Sequence, residues 1–257
     1  MTAPLCIKPV PAFNDNYLWL LAQGADAAIV DPGDAVPVEQ ALERDGLTLR
    51  TILVTHHHPD HVGGVAQLAA ATGAHVYGPR RERIPALGTP LVEGDRIEVL
   101  GTRFEVIEVP GHTSGHIAYY SAGPGLLFCG DTLFAAGCGR LFEGTPEQMN
   151  NSLGKLAALP PATRVYCAHE YTLANLRFAR AVEPANARIA QRQAACEAQR
   201  ARGEPTVPSR IEEELATNPF LRCDEPAVRF AAEAQQPGAG RSAVATFAAI
   251  RAWKNRF

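Results

Sequence analysis

Residues 55–64 of the chain contain the sequence Thr55-His56-His57-His58-Pro59-Asp60-His61-Val62-Gly63-Gly64. The run follows the apolar residues 51–54 and precedes an apolar, alanine-rich segment at 65–71, so the pattern predicts a strand, a turn and a helix. Within six residues it holds four potential metal ligands, namely His56, His58, Asp60 and His61. Imidazole nitrogen and carboxylate oxygen are ligands that Zn²⁺, Mn²⁺ and Fe²⁺ accept. The spacing favours two adjacent ions over one, and Gly63 and Gly64 are expected to turn the backbone sharply beneath them.

The other interpretations of this run are a solvated histidine-rich loop and the remnant of an affinity tag. A tag is a terminal homopolymer, whereas residues 55–64 lie inside a predicted strand-to-helix junction. The sequence therefore favours a metal site.

Composition excludes few classes of protein. The chain has 257 residues, enough to bury a full core, with 46% hydrophobic and 20% charged residues. A net charge of −3 gives no reason to expect nucleic acid or an anionic membrane as a partner. No apolar run reaches the roughly 18 residues of a membrane span, and residues 1–10 lack the features of a secretion signal. We therefore expect a cytoplasmic protein whose six cysteines, which form no CxxC pair, are reduced.

The rest of the chain predicts a layered α/β architecture followed by helices. Strands are predicted at 5–10, 17–21, 27–30, 51–54, 75–77, 97–100, 103–109, 116–120, 126–129 and 164–167, and residues 80–90 form a basic surface loop. Helices are predicted at 36–44, 65–71, 146–159, 175–182, 186–202, 209–216, 225–234 and 242–254. Ser209 and Glu212 form the capping box that opens the helix at 209–216. Because helices dominate after residue 171, we predict a catalytic domain at 1–171 and a helical domain at 172–257.

Three further candidate ligands stand where predicted strands end. They are His112, Asp131 and His169, and each follows a β-rich run and a small residue. A side chain at a strand end can project from the rim of a sheet into a rigidly held site. Alone, each would more often be a structural residue, but together with residues 56–61 they complete a set of metal-binding side chains.

The combined pattern His-x-His-x-Asp-His, His112, Asp131 and His169 resembles the metallo-β-lactamase superfamily. Closer similarity to its glyoxalase II (hydroxyacylglutathione hydrolase) family lies in FNDNY at 13–17, PGHTSGH at 110–116, GDTLF at 130–134, GCGRLFEG at 137–144, AHEYT at 168–172 and IRAWKNRF at 250–257. The resemblance thus covers both predicted domains. It implies a four-layered αββα sandwich with a C-terminal helical domain.

The resemblance also implies the roles of the ligands. His56, His58 and His112 would hold one metal ion, Asp60, His61 and His169 the other, and Asp131 would bridge them. The ions would be two divalent cations per chain, with zinc as the first candidate and iron and manganese as alternatives. A hydroxide shared by these ions, with Asp60 and Asp131 as catalytic carboxylates, would hydrolyse S-D-lactoylglutathione to glutathione and D-lactate during methylglyoxal degradation.

Substrate contacts are implied at five further positions, namely Arg140, Phe142, Tyr171, Arg251 and Lys254. Guanidinium and ammonium groups would bind the carboxylates of glutathione, and the tyrosine hydroxyl its peptide. Phe142 stands where many relatives carry Tyr. The other interpretation of Arg251 and Lys254 is a solvated helix face.

Three other functions share parts of this pattern. The persulfide dioxygenases of the superfamily use one iron but lack the helical tail. Nuclease and tRNA-processing members would carry a basic insertion, which a pI near 6.2 does not suggest. A metal-stabilised binding module without activity is the third, and the complete ligand set argues against it. We expect a monomer that binds a small-molecule glutathione thioester and neither nucleic acid nor membrane.

Two residues keep open roles at this point. Asp31, at the end of a predicted strand, either orients a ligand or caps a turn. Cys138 is interpreted as a structural thiol, with a nucleophile as the alternative, because no histidine is near it in the sequence.

Overall fold

The computed structural model describes residues 3–257 of the chain, which forms two compact units. Among the described residues, unit 1 comprises 3–108 and Thr113–Gly130, and unit 2 comprises Val109–His112 and Asp131–Phe257. The chain therefore passes between the units three times. The predicted boundary at residue 171 separates two continuous segments, whereas each unit consists of two separate segments. The boundary therefore stays a prediction.

Unit 1 is built from two groups of strands with helices. Within residues 3–108 and 113–130 the strands are β1 (Cys6–Ala12), β2 (Asn16–Gln23), β3 (Asp26–Val30), β4 (Thr48–Leu53), β5 (His75–Pro79), β6 (Thr89–Leu91), β7 (Arg96–Val99), β8 (Thr102–Glu108), β9 (Ile117–Ser121) and β10 (Leu126–Gly130). The helices are α1 (Ala35–Asp45), α2 (Pro59–Val62) and α3 (Val65–Thr72). Strands β1 to β6 form a sheet in that order, antiparallel from β1 to β3 and parallel from β3 to β6. Strands β10, β9, β8 and β7 form an antiparallel ladder.

Packing around α1 and α3 fixes the strand ends that carry the site. The Asp34 side chain caps α1 by accepting a hydrogen bond from the Val36 amide, and Gly46 ends the helix at a φ of 63°. Val38 of α1 and Leu68 of α3 are fully buried in one apolar cluster with residues of β1 to β5. Each such side chain stabilises the fold by about 1.5–3 kcal/mol. Strands β3 and β4, and the loops that follow them, are therefore held rigidly.

Gly63 and Gly64 do not make the sharp turn expected of them. Their φ values are −57° and −87°, which place both in the right-handed helical region. A Cβ atom on Gly63 would lie 2.4 Å from the carbonyl oxygen of Gly33, and one on Gly64 would lie 2.6 Å from the amide nitrogen of Ala35. Glycine is needed here because two backbone segments approach closely.

Unit 2 is mostly helical. Within residues 109–112 and 131–257 its elements are β11 (Leu133–Phe134), β12 (Gly137–Cys138), α4 (Pro146–Ala157), β13 (Arg164–Cys167), α5 (Thr172–Val182), α6 (Ala187–Ala201), β14 (Ser209–Arg210), α7 (Ile211–Thr217), α8 (Pro226–Gln235) and α9 (Ala243–Lys254). Strand β11 pairs with β12, and β13 with β14, both antiparallel. Along residues 3–257, no helix combines the length and apolar character needed to cross a membrane.

The helices α4 and α7 begin in different ways. At α4, the Thr145 side chain accepts from the Gln148 amide and the Gln148 side chain accepts from the Thr145 amide. The box predicted at Ser209 is wrong, because Ser209 pairs with Val165 of β13 in a short strand and α7 begins only at Ile211. Backbone pairing with a distant strand therefore overrides the local capping signal.

Candidate metal centre

Unit 1 brings together the candidate ligands predicted at residues 56–61. Nε2 of His56 lies 3.1 Å from Nδ1 of His58, and Nε2 of His61 lies 3.6 Å from Oδ2 of Asp60. The ring centroids of the buried His56 and His61 are 4.0 Å apart. Zinc–nitrogen bonds of about 2.0–2.1 Å in a tetrahedral site place neighbouring donor atoms roughly 3.3 Å apart. The facing donor pairs of this unit are thus spaced for shared cations.

Asp31, at the end of β3, anchors these side chains. Its Oδ1 and Oδ2 accept hydrogen bonds from the Thr55 amide at 2.7 Å and the Thr55 hydroxyl at 2.8 Å. Oδ2 also lies 3.1 Å from Nδ1 of His61, and the Thr55 hydroxyl lies 3.0 Å from Nδ1 of His56. Partners on Nδ1 fix the ring orientation and leave Nε2 for a metal. Of the two roles left open for Asp31, the structure favours the one that orients a ligand.

Further side chains of unit 1 brace the same loop. The His116 ring stacks on the His56 ring at 4.6 Å, and Nδ2 of Asn16 donates to Oδ2 of Asp60 at 3.0 Å. Asn16 was not predicted as a site residue. Its position in the FNDNY segment is the feature of the sequence that could have identified it. Nδ1 of His57 lies 3.0 Å from Oε2 of Glu82.

Unit 2 holds the other three candidate ligands, all buried. Oδ2 of Asp131 lies 3.4 Å from Nε2 of His112, and Oδ1 of Asp131 lies 3.4 Å from Nε2 of His169. One carboxylate oxygen therefore faces each histidine. A carboxylate that is to bridge two ions needs this arrangement.

The GCGRLFEG loop fixes His112. Nδ1 of His112 lies 2.8 Å from the carbonyl oxygen of Arg140, and the Phe142 amide donates to the carbonyl of His112 at 3.2 Å. A Cβ atom on Gly139 would lie 2.0 Å from the carbonyl oxygen of Asp131, so only glycine fits there. This loop therefore sets the positions of two ligands.

Buried polar side chains from the helical tail hold the β11–β12 hairpin, which follows directly on the aspartate ligand. Oε2 of Glu214 accepts from the Ala136 amide at 2.8 Å, and Nδ2 of Asn218 donates to the Gly137 carbonyl at 2.8 Å. Nη2 of Arg192 donates to Oε1 of Glu214 at 2.6 Å. No short sequence motif signals this network, because its members are far apart along the chain.

Three of the predicted substrate residues lie beside the histidines or on exposed loops. Phe142 is 62% exposed, and its ring meets the His112 ring edge-on at 5.3 Å. Tyr171 is 37% exposed and stacks on His169 at 4.7 Å. Arg140 is exposed. Their side chains are available to a ligand.

The two basic residues of α9 are not on a solvated helix face. Arg251 is 5% exposed, and its Nη1 donates to the Cys138 carbonyl at 2.8 Å, so the solvated-face interpretation is wrong for this residue. Nζ of Lys254 donates to the Ala174 carbonyl at 3.1 Å. Burial, helped by the nearby positive charges of Arg251 and Arg177, lowers the pKa of Lys254 to about 8.

Cys138 is a structural thiol. Its side chain is buried, and burial raises the pKa of the thiol, so the thiolate needed for nucleophilic attack is disfavoured. None of the six cysteines is joined in a disulfide.

The donor set fits a divalent cation. The histidine and aspartate side chains of the chain include groups that could hold a metal ion, and neutral imidazole and carboxylate suit zinc, iron and manganese. The chain has two groups of strands with covering helices, and the candidate metal ligands stand at strand ends. These features define a metallo-β-lactamase-fold protein that binds divalent metal.

Comparisons with known proteins agree with this class. The model of the metallo-β-lactamase superfamily matches residues 13–169, and that of the hydroxyacylglutathione hydrolase C-terminus matches residues 170–257. The crystal structure of ETHE1 from Myxococcus xanthus has a TM-score of 0.65 at 24% identity, covering 98% of this chain and 99% of that one, and this likeness shows the fold alone. The structure of TTHA1623 in a di-iron-bound form has a TM-score of 0.54 at 34% identity, covering 63% of this chain and 91% of that one.

Relatives of known name narrow the assignment. The hydroxyacylglutathione hydrolase of Ectopseudomonas mendocina (strain ymp) is 59% identical over 98% of this chain and 99% of its own length. That of Alkalilimnicola ehrlichii is 59% identical over 97% of this chain and 98% of its own. The chain belongs to the hydroxyacylglutathione hydrolase family, also called glyoxalase II, and is a thioester hydrolase. The predicted family and fold class are thereby confirmed.

Proposed function

We propose that the chain hydrolyses S-(2-hydroxyacyl)glutathione thioesters, such as S-D-lactoylglutathione, to glutathione and a 2-hydroxy acid. The observation that carries the proposal is the 59% identity to a hydroxyacylglutathione hydrolase over nearly the full length of both chains. The matched C-terminal family model at residues 170–257 extends the likeness to the helical tail. The activity would contribute to methylglyoxal degradation.

Two metal ions are proposed for the site. His56, His58 and His112 would hold the first ion, Asp60, His61 and His169 the second, and Asp131 would bridge. The facing pairs within unit 1 support this grouping, because His56 faces His58 and His61 faces Asp60. Zinc is the first candidate metal. The di-iron-bound form of TTHA1623 supports iron as the second candidate.

When bound, such ions would polarise a carbonyl and lower the pKa of water from about 15.7 to near 7. The chain supplies orientation and proton acceptance. The Asp60 side chain is 40% exposed and can accept a hydrogen bond from the attacking water, while the buried Asp131 fixes the spacing of the two ligand groups. A departing thiolate is weakly basic and needs little general-acid help. The buried Cys138 need not act as a nucleophile.

Substrate binding is proposed for the exposed loops and α9. Arg140 and Lys254 would bind the carboxylates of glutathione, and Tyr171 would hydrogen-bond its peptide. Arg251 would act on the same region, since its guanidinium holds the strand β12 that leads to Arg140. Phe142 offers only an apolar face where a tyrosine would add a hydroxyl.

The mononuclear-iron persulfide dioxygenase and the other metallo-β-lactamase-fold hydrolases are not favoured. The relatives that match nearly the full length are named hydroxyacylglutathione hydrolase. A monomer in the cytoplasm without nucleic-acid or membrane partners stays a prediction, and the net charge of −3 supports only the absence of nucleic-acid and anionic-membrane partners.

The deciding experiment is hydrolysis of S-D-lactoylglutathione, followed by loss of thioester absorbance and by thiol release. We expect turnover that a chelator abolishes and that added zinc restores. Acyl-CoA thioesters and phosphodiesters serve as comparison substrates. If either were turned over much faster than the glutathione thioester, the proposed substrate class would be wrong.

A further inference from the structure

The loop between β5 and β6 carries a buried carboxylate that the proposed reaction does not use. This carboxylate belongs to Glu82, whose side chain is 1% exposed although its neighbours Arg81 and Arg83 are exposed. Ile84 in the same loop belongs to the apolar cluster of unit 1, so the loop is anchored in the core. Burying a carboxylate is costly unless several donors meet it.

Three donors meet Glu82. Oε2 lies 3.0 Å from Nδ1 of His57, which stands between two proposed ligands in the sequence. Oε1 accepts hydrogen bonds from the Thr113 hydroxyl and, at 3.0 Å, from the Gly115 amide. Thr113 follows directly on His112 in the chain. One carboxylate therefore ties together the two loops on which three proposed ligands of the first ion are carried.

The contacts continue to a ligand. The His57 ring meets the His58 ring edge-on at 5.2 Å, so fixing His57 also limits how the His58 ring can turn. At Gly115, a Cβ atom would lie 2.5 Å from Cγ of Glu82, which shows how tightly the second loop closes on the carboxylate. Neither contact is a metal bond: the first reaches the ring of the proposed ligand His58, and the second lies three residues after the proposed ligand His112.

We infer that Glu82 is a positioning residue for the first metal ion, which it serves by holding the His57 and Thr113 loops at a fixed separation. The inference rests on the proposed ligand set His56, His58 and His112. Outer partners of metal ligands typically change metal affinity or activity by about 10–100-fold when they are removed. Glu82 is expected to fall in that range without touching the substrate.

The test measures metal release from the holoenzyme to a chromogenic chelator. We expect Glu82→Ala to release metal about 10–100-fold faster than wild type. Thr113→Val should do so by a smaller factor, and Thr113→Ser, which keeps the hydroxyl, should restore the wild-type rate. With metal in excess, kcat should fall while KM stays within about twofold, because no proposed substrate contact is removed.

Glu233→Gln is the matched control, because Glu233 also accepts two backbone hydrogen bonds, from Gly238 and Gly240. It should release metal at the wild-type rate. Wild-type release from both Glu82→Ala and Thr113→Val would overturn the inference, and if Glu82→Ala does not fold, the Thr113 pair decides. His58→Ala tests the underlying ligand set separately. Full metal content in that variant would refute the ligand set, whereas metal loss there with normal release from the Glu82 and Thr113 variants would refute only the role of Glu82.

Discussion

Nη1 of Arg251 donates a hydrogen bond of 2.8 Å to the carbonyl oxygen of Cys138. This bond joins the last helix, α9, to the short strand that leads into Arg140, and both lie in unit 2. The guanidinium also lies over the Phe220 ring at 5.1 Å. Arg251 thus holds the backbone of the GCGRLFEG loop at 137–144, which carries the proposed substrate residue Arg140.

Arg251→Ala should lower both stability and substrate affinity. It leaves the Cys138 carbonyl without this donor, a loss of about 1–3 kcal/mol in the free energy of unfolding. We expect KM for S-D-lactoylglutathione to rise about tenfold with a smaller fall in kcat, while metal content stays constant. Denaturant unfolding and steady-state kinetics measure these effects. Unchanged KM in a destabilised variant would show that the bond serves folding alone.

Asp131→Ala and His169→Ala should differ in metal content. Because one oxygen of Asp131 faces His112 and the other faces His169, its removal should lower occupancy of both proposed ions. His169→Ala should empty mainly the second. Elemental analysis of purified protein gives the metal content per chain, with about two ions expected for wild type. Equal loss of a single ion from both variants would contradict the bridging role.

Lys254 predicts a pH dependence of substrate binding. Its pKa is lowered to about 8 by burial, so the ammonium that would bind a carboxylate is lost as pH rises through this value. Accordingly, kcat/KM should fall above about pH 8, and Lys254→Arg, which stays charged, should keep it level there. A fall of the same size in both proteins would assign it to another group.

The lowered pKa of Lys254 also makes the free energy of unfolding depend on pH. The unfolded lysine titrates near 10.5 and the folded one near 8, so between these values the unfolded chain binds more protons. The contribution of Lys254 to the free energy of unfolding therefore rises with pH across that window, and below about pH 8 the folded state bears the full cost of the buried charge.

Glu214→Ala should be strongly destabilising. It leaves the buried Arg192 without its main partner and the Ala136 amide without an acceptor. Breaking a buried ion pair from one side costs about 3–5 kcal/mol, which denaturant unfolding can measure. Glu213→Ala is the control, because Glu213 lies 3.3 Å from the same guanidinium but is 43% exposed. We expect it to cost under about 1 kcal/mol.

Local signals in the sequence predicted ten of the fourteen strands in residues 3–257, most helix bounds and the facing donor groups, but they missed the short strands β6, β11, β12 and β14. Strand ends and spacing suffice for this, because each ligand stands next to its own strand or turn. The capping box at Ser209 failed because pairing with β13 is a contact across 44 positions, from Val165 to Ser209. The contacts of Glu82 and Glu214 could not be predicted from the sequence either, because their partners are distant along the chain. The sharp turn expected at Gly63 and Gly64 was wrong, and glycine is needed there because two backbone segments approach closely.

The three passages of the chain between the units determine how many of the proposed ligands exist when each unit is complete during synthesis. A ribosome completes unit 1 only when Gly130 has emerged, and His112, which belongs to unit 2, has by then already been made. A nascent chain at that point carries five of the seven proposed ligands but lacks the bridging carboxylate, which is the next residue. A chain stalled after residue 130 would therefore offer donors for a single ion but would lack the carboxylate proposed to bridge two ions. The proposed ligand set is complete only once His169 has left the exit tunnel.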